Sequence, residues 1–237
     1  MEILIVLFAA LLSICFIVWV IRASRQQSRE RQDLIRDVQQ RGWRFQDECI
    51  RVLPTQVAML KLPMLQHSGI GDFIREQFTG QYQEHECLVF THRPEYERRL
   101  RMEVADRTYL MLRRPRNAQT VPAFQLNRGH RVTDAFISLA AAGIAGDETQ
   151  RTSPLQPIDL PPVLDQWRIF GDQATAQWLA LRGYQEVNRD LEQAELDTNS
   201  VFWVVGEWVI VSLQRLNIDA FNECLAKAKW FSDWLDE

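Results

Sequence analysis

Val201-Phe202-Trp203-Val204-Val205-Gly206-Glu207-Trp208-Val209-Ile210-Val211-Ser212-Leu213 is the stretch that decides the fold. Two β-branched and aromatic runs flank Gly206-Glu207, and glycine at the first central position is what a type II′ hairpin turn requires. Both faces of these strands are apolar, which predicts burial in the middle of a sheet. Thirteen residues interrupted by Glu207 are too few to cross a bilayer.

Toward the C-terminus, Ile218, Phe221, Leu225, Ala228 and Leu235 recur at helical spacing and predict an amphipathic helix over 217–235. Upstream, a strand is expected at 167–170, then a helix capped by Asp172 and ending near Arg182, then a shorter helix through Glu195. Earlier still, strand features occupy 73–78, 82–91, 97–104 and 108–113, with turns expected at Gly80 and at Ala105-Asp106. Leu100, Met102 and Val104 alternate with Arg99, Arg101 and Glu103, the pattern of a half-buried antiparallel strand. Residues 124–126 offer a further strand, and 135–142 fit helix or strand equally. Eight tryptophans and twelve phenylalanines supply the burial that disordered chains lack. The fold class is therefore α+β, with helices packed on antiparallel sheets.

The amino end reads differently. Nineteen uncharged, mostly apolar residues run from Ile3 to Ile21, about 28 Å as a helix, and Arg22, Arg25, Arg29 and Arg31 follow. This pattern predicts a single N-terminal transmembrane helix of the signal-anchor kind. A cleaved signal peptide would need a basic start, a shorter apolar core and small residues where the arginines stand. The arginines predict a single-pass protein of the cell (inner) membrane with a cytoplasmic C-terminal domain, and Trp19 at the inner interface. The opposite topology, with the domain exported, is the other arrangement.

The expected partners are the lipid bilayer through residues 3–21, anionic lipid through Arg22, Arg25 and Arg29 on one helical face at about 1 kcal/mol each, and an unidentified protein. Leu34, Ile35 and Val38 form a patch suited to docking the helix on its own domain. Pro154, Pro157, Pro161 and Pro162 disfavour helix and central strand and mark a linker. The organisation read from the residues is a 1–21 transmembrane anchor, a 22–40 juxtamembrane helix, a 41–150 mainly β subdomain, a 151–162 Pro-rich linker and a 163–237 α+β subdomain.

The order Arg41-Gly42-Trp43-Arg44-Phe45, Leu62-Pro63, Gly69-Ile70-Gly71, Phe78-Thr79-Gly80-Gln81-Tyr82 and Leu88-Val89-Phe90 resembles uncharacterised bacterial proteins that place such a domain behind one N-terminal span. The likeness covers roughly residues 40 to 236. Where many of those proteins carry an acidic residue after the phenylalanine, this chain has Thr91-His92. The resemblance implies anchor and fold and no activity.

Chemistry-bearing motifs are sparse. The chain has no GxSxG, HExxH or GxxxxGK[ST], and Gly69-Ile70-Gly71 reads as a turn rather than a phosphate loop. His85 and Cys87 share a strand face, with His92 on the other, which is short of a zinc ligand set, and His67 and His130 are isolated. Cys15, Cys49, Cys87 and Cys224 have no CxxC spacing and read as reduced, structural thiols. Glu84 and Glu86 share a strand face beside a turn, where solvation is expected. No catalytic, cofactor-binding or metal residue is assigned, and no cofactor.

Charge is unevenly spread. Residues 93–131 hold ten arginines against four acids, whereas 132–237 hold seven basic and seventeen acidic residues. The halves either face different partners or neutralise each other internally. A net charge of −4 and the absence of a recognition motif disfavour nucleic acid. The function expected is a non-enzymatic binding or scaffold domain held at the membrane, the alternative being a membrane-tethered enzyme whose site is not recognisable from sequence.

Overall fold

In a computed structural model, which describes residues 2–47, 73–93, 107–128, 155–194, 196, 200–213 and 217–237, the decisive hairpin forms as β8 (Val201–Val205) and β9 (Trp208–Leu213). Gly206 turns it at φ +59°. Around it lie β1 (Arg44–Gln46), β2 (Phe73–Tyr82), β3 (His85–Arg93), β4 (Arg107–Arg113), β5 (Phe124–Arg128), β6 (Gln156–Pro157) and β7 (Trp167–Gly171). The nine strands form one antiparallel sheet in the order β1-β2-β3-β4-β9-β8-β5-β7-β6, so β8 and β9 are central, as apolarity on both faces requires. The described helices are α1 (Glu2–Gln40), α2 (Gln173–Arg182), α3 (Tyr184–Gln193) and α4 (Ile218–Asp236).

Alternation along each strand divides the side chains between two cores. One face carries Phe78, Val89, Leu110, Leu112, Val209, Val211, Phe202, Val204, Phe124 and Leu126, packed under Leu34 and Val38 of α1, Leu179 of α2, Val187 and Leu191 of α3 and Phe221, Leu225 and Phe231 of α4. The other holds Ile74, Leu88, Phe90, Tyr109, Met111, Trp203, Trp208 and Ile210, a buried cluster that no residue of a described helix joins.

The expected mainly β and α+β subdomains share this one sheet. β4 pairs with β9, and β5 lies between β8 and β7, so strands from both sides of the Pro-rich segment interleave. The described part of that segment is itself structured. Gln156-Pro157 forms the outermost strand, where a proline without an N–H leaves no ladder bond unmade, and the Ile158 N–H donates to the Ile169 carbonyl at 2.9 Å. Local signals set the helix starts. Asp172 accepts from the Thr175 N–H at 2.9 Å in a capping box, and Asn217 accepts from the Ala220 N–H at 2.8 Å.

One turn reading is corrected. Gly80 lies inside β2, and the β2–β3 turn falls at Gln83-Glu84, both at positive φ. Gly80 is a packing device: a Cβ there would stand 2.3 Å from the Trp43 ring, which is buried against Phe221. The strand expected at 97–104, the Ala105-Asp106 turn, the 135–142 segment and Gly69-Ile70-Gly71 fall outside the described residues.

The membrane reading is also corrected. Among the described residues no helix is long and apolar enough to cross a membrane. The side chains of α1 are described from Leu12 onward, and the apolar part from Leu12 to Ile21 covers about 15 Å before Arg22, half a hydrocarbon core. The transmembrane, signal-anchor and single-pass inner-membrane assignments are therefore not supported. The helix is unbroken from Glu2 through the expected juxtamembrane segment to Gln40.

Candidate interaction surface

Among the described residues, what holds α1 to the domain is confined to its last three turns. Leu34 and Val38 are fully buried, worth about 2 kcal/mol each over exposure. The Arg31 Nη2 bond to Asp47 at 2.9 Å, largely exposed, adds little by comparison. Arg31 Nε also donates to Glu76 Oε1, and the Thr91 hydroxyl donates to Glu76 Oε2 at 3.2 Å and lies 2.9 Å from Thr108 Oγ1. Glu76 sits at φ +54° where the β2–β3 register shifts, a bulge conformation that costs a non-glycine residue about 1–2 kcal/mol and that these bonds hold in place. The carboxylates around Arg31 raise its pKa against the opposing effect of burial.

From Leu12 to Arg29 every side chain of α1 is exposed, including Phe16, Trp19 and Ile21. The apolar section is exposed on all sides, and a helix apolar all round ordinarily lies buried among other groups. Arg22, Arg25 and Arg29 fall on one face of this free-standing part and are exposed.

A second surface is built by α2, α3 and α4. The Arg182 guanidinium lies over the rings of Trp178 and Trp234, at 5.2 and 4.6 Å from their centroids. The two indoles meet edge to face at 5.6 Å, and Trp230 stacks on Trp234 at 6.2 Å, giving a row of three indoles with an arginine seated on it. The Trp234 Nε1–H donates to Asp190 at 3.3 Å. Burial lowers the Arg182 pKa, opposed by Asp190, Glu237 and Glu186 nearby. No described carboxylate forms an ion pair with it. Beside it Leu181 is 88% exposed, and outside α1 only Val163 shares that class among the described large hydrophobics.

A third feature is an open hollow of about 510 Å³ at the β1–β2–β3 corner, lined by Arg41, Arg44, Thr79, Gln81, Glu86 and Leu88 among others. Arg41 is engaged by Asp37 and Asn222, and Glu86 accepts from Arg113. The hollow brings no nucleophile together with a base. Cys87 lies at its floor with its thiol pushed up to about 12, chiefly by burial, and so is a protonated, inert sulfur at neutral pH.

The remaining expectations sort as follows. His85 and Cys87 do lie close: the Cys87 thiol donates to the His85 carbonyl at 3.6 Å, and His85 Nδ1 lies 2.9 Å from the Arg113 carbonyl. No group of three or more His, Cys, Asp or Glu among the described residues is placed to hold a metal. Glu84 and Glu86 do not pair on a strand, since Glu84 is in the turn at φ +72° and Glu86 binds Arg113 at 2.9 Å. Cys15, Cys87 and Cys224 are not disulfide-bonded, and Cys49, His67 and His130 lie outside the described residues. The charge halves meet in part. Arg113 binds Glu207 at 2.7 Å and nearly buried Arg114 binds Asp236, tying the end of α4 to β4.

Sequence reading missed the Arg182 surface. The signal was present in Trp178 and Arg182 at i and i+4 on a capped helix, but Trp230 and Trp234 arrive from 52 and 56 positions after Trp178. No protein-family model, curated protein or solved structure matches this chain.

Proposed function

We propose that this chain is a non-enzymatic binding or scaffold module whose partner docks on the Leu181-Arg182 surface. The observation that carries this reading is a leucine 88% exposed beside a guanidinium seated on two indoles. Tryptophan and arginine dominate the energetics of protein interfaces because they combine large apolar area with directional donors. Arg182 is held by its cation–π contacts with its N–H groups unclaimed by any described carboxylate, so ordering it for a partner loses little side-chain entropy.

The test is a photo-crosslinking residue at position 181 of the full chain in cells. A discrete adduct with one protein, weakened by Arg182→Ala, is the expected result. Adducts that are diffuse, or none, overturn the assignment. A turnover activity abolished by changes in the Arg41–Arg44 hollow but untouched at Leu181 would replace it with an enzymatic reading.

A further inference from the structure

We infer that the occupant of the Leu181-Arg182 surface is the free-standing part of α1 from a second copy of this chain, the two copies docking reciprocally. The inference rests on the binding reading above and names the partner.

Three observations converge on it. The first is that the two unpartnered apolar surfaces of the described chain are of complementary kind. One is a projecting helix carrying Phe16, Ile17, Trp19, Val20 and Ile21, all exposed, and the other is a surface of exposed Leu181 with partly exposed Trp178 and Trp230.

The second is charge. Arg22, Arg25 and Arg29 follow the apolar section on one helical face, and Glu186, Asp190 and Glu237 lie near enough to Arg182 to act on its charge. An apolar segment seated on Leu181 and the partly exposed Trp178 and Trp230 carries its arginines toward these acids. Such charge pairs steer and orient docking more than they strengthen it.

The third is geometry within one chain. α1 is one continuous helix whose last turns are fixed by buried Leu34 and Val38 and by Arg31 on Glu76 and Asp47. Its exposed part cannot fold back onto its own α2 and α4 without breaking the helix. A neighbouring copy's arm can reach them, and reciprocal docking about a two-fold axis closes the assembly, whereas one-way docking would grow open chains.

Sedimentation of the full chain over a concentration series tests this. A dimer with a Kd in the micromolar range is expected. Leu181→Asp, at a site too exposed to unfold the domain, is expected to weaken it at least about tenfold, with the thermal midpoint unchanged at concentrations where both proteins are monomeric. Arg22→Glu with Arg25→Glu and Arg29→Glu weakens it as well, as does Glu186→Lys with Glu237→Lys, and combining the two sets restores association. A monomer at every concentration overturns the inference, as does self-association that ignores Leu181→Asp or is not restored by the charge exchange. If position 181 then crosslinks to a different protein, the binding surface stands without self-docking. If it crosslinks to nothing, both readings fail.

Discussion

The β2–β3 and β8–β9 hairpins are both closed by two-residue turns, yet they reach that geometry by opposite routes. Gly206 takes φ +59° with no atom within 4 Å of where its Cβ would be, so its role is backbone freedom alone. At Gln83-Glu84 two L-residues take φ +46° and +72°, the positive-φ pair of a type I′ turn, without glycine or asparagine. The glycine of that hairpin, Gly80, instead makes room for Trp43. One turn is specified locally, and the other is imposed by its strands. What imposes it is visible: Phe78, Cys87 and Val89 on the helix-covered face fix the register, because a slip of one residue would turn them to the opposite side. Glu86 on Arg113 and Thr91 beside Thr108 then tie β3 to β4.

This contrast can be broken most forcefully at Gly80. Gly80→Ala drives a Cβ into a buried indole and is expected to destabilise the fold by about 3 kcal/mol in urea unfolding, most of it recovered against the Trp43→Ala background in a double-mutant cycle. Gly206→Ala meets no neighbour and is expected to lose only about 1 kcal/mol, the cost of positive φ. A Gly206 loss as large as that at Gly80 would erase the distinction between a turn glycine and a packing glycine.

A gain sharpens it. Gln83→Asn with Glu84→Gly relieves the imposed turn and is expected to raise stability by about 1 kcal/mol, with the unfolding slope unchanged. The smallest effect concerns another locally written signal. Asp172 accepts N–H bonds at the start of α2, above all from Thr175, which hold its carboxyl below the usual range. A depressed folded pKa adds stability that is present above the unfolded value near 4 and fades as pH falls through the folded one. Asp172→Ala is expected to cost less than about 1 kcal/mol at neutral pH, with wild type and variant converging in acid titrations below pH 4.

The same division runs through the sequence reading as a whole. From residue 167 onward, strand, cap, helix and hairpin are legible because each signal is complete within a few residues: Asp172 before α2, the Phe221, Leu225 and Ala228 spacing of α4, Gly206 between two β-branched runs. In the first half, the turn glycine was misplaced because a glycine's partner in space is not written beside it; Trp43 stands 37 positions before Gly80. The two-subdomain reading gave way for a related reason. Proline at 157 reports a missing N–H, and an edge strand satisfies that condition as well as a linker does. The candidate surface was only half legible, as Trp178 and Arg182, since its other indoles belong to α4.

Local composition by itself determined the α+β class, the central apolar hairpin, the Asp172-capped helix, the amphipathic C-terminal helix and the docking patch of Leu34 and Val38. These follow from periodicity and hydrogen-bonding capacity over a few residues, which no tertiary partner needs to supply. Only the tertiary structure decided that strands from both halves interleave in one sheet, that Gly80 serves Trp43, that Glu76 is bent to meet Arg31, and that Arg182 rests on two tryptophans beside an exposed leucine. Each of those depends on distance in space between residues far apart in the chain, and a single sequence carries no measure of that distance.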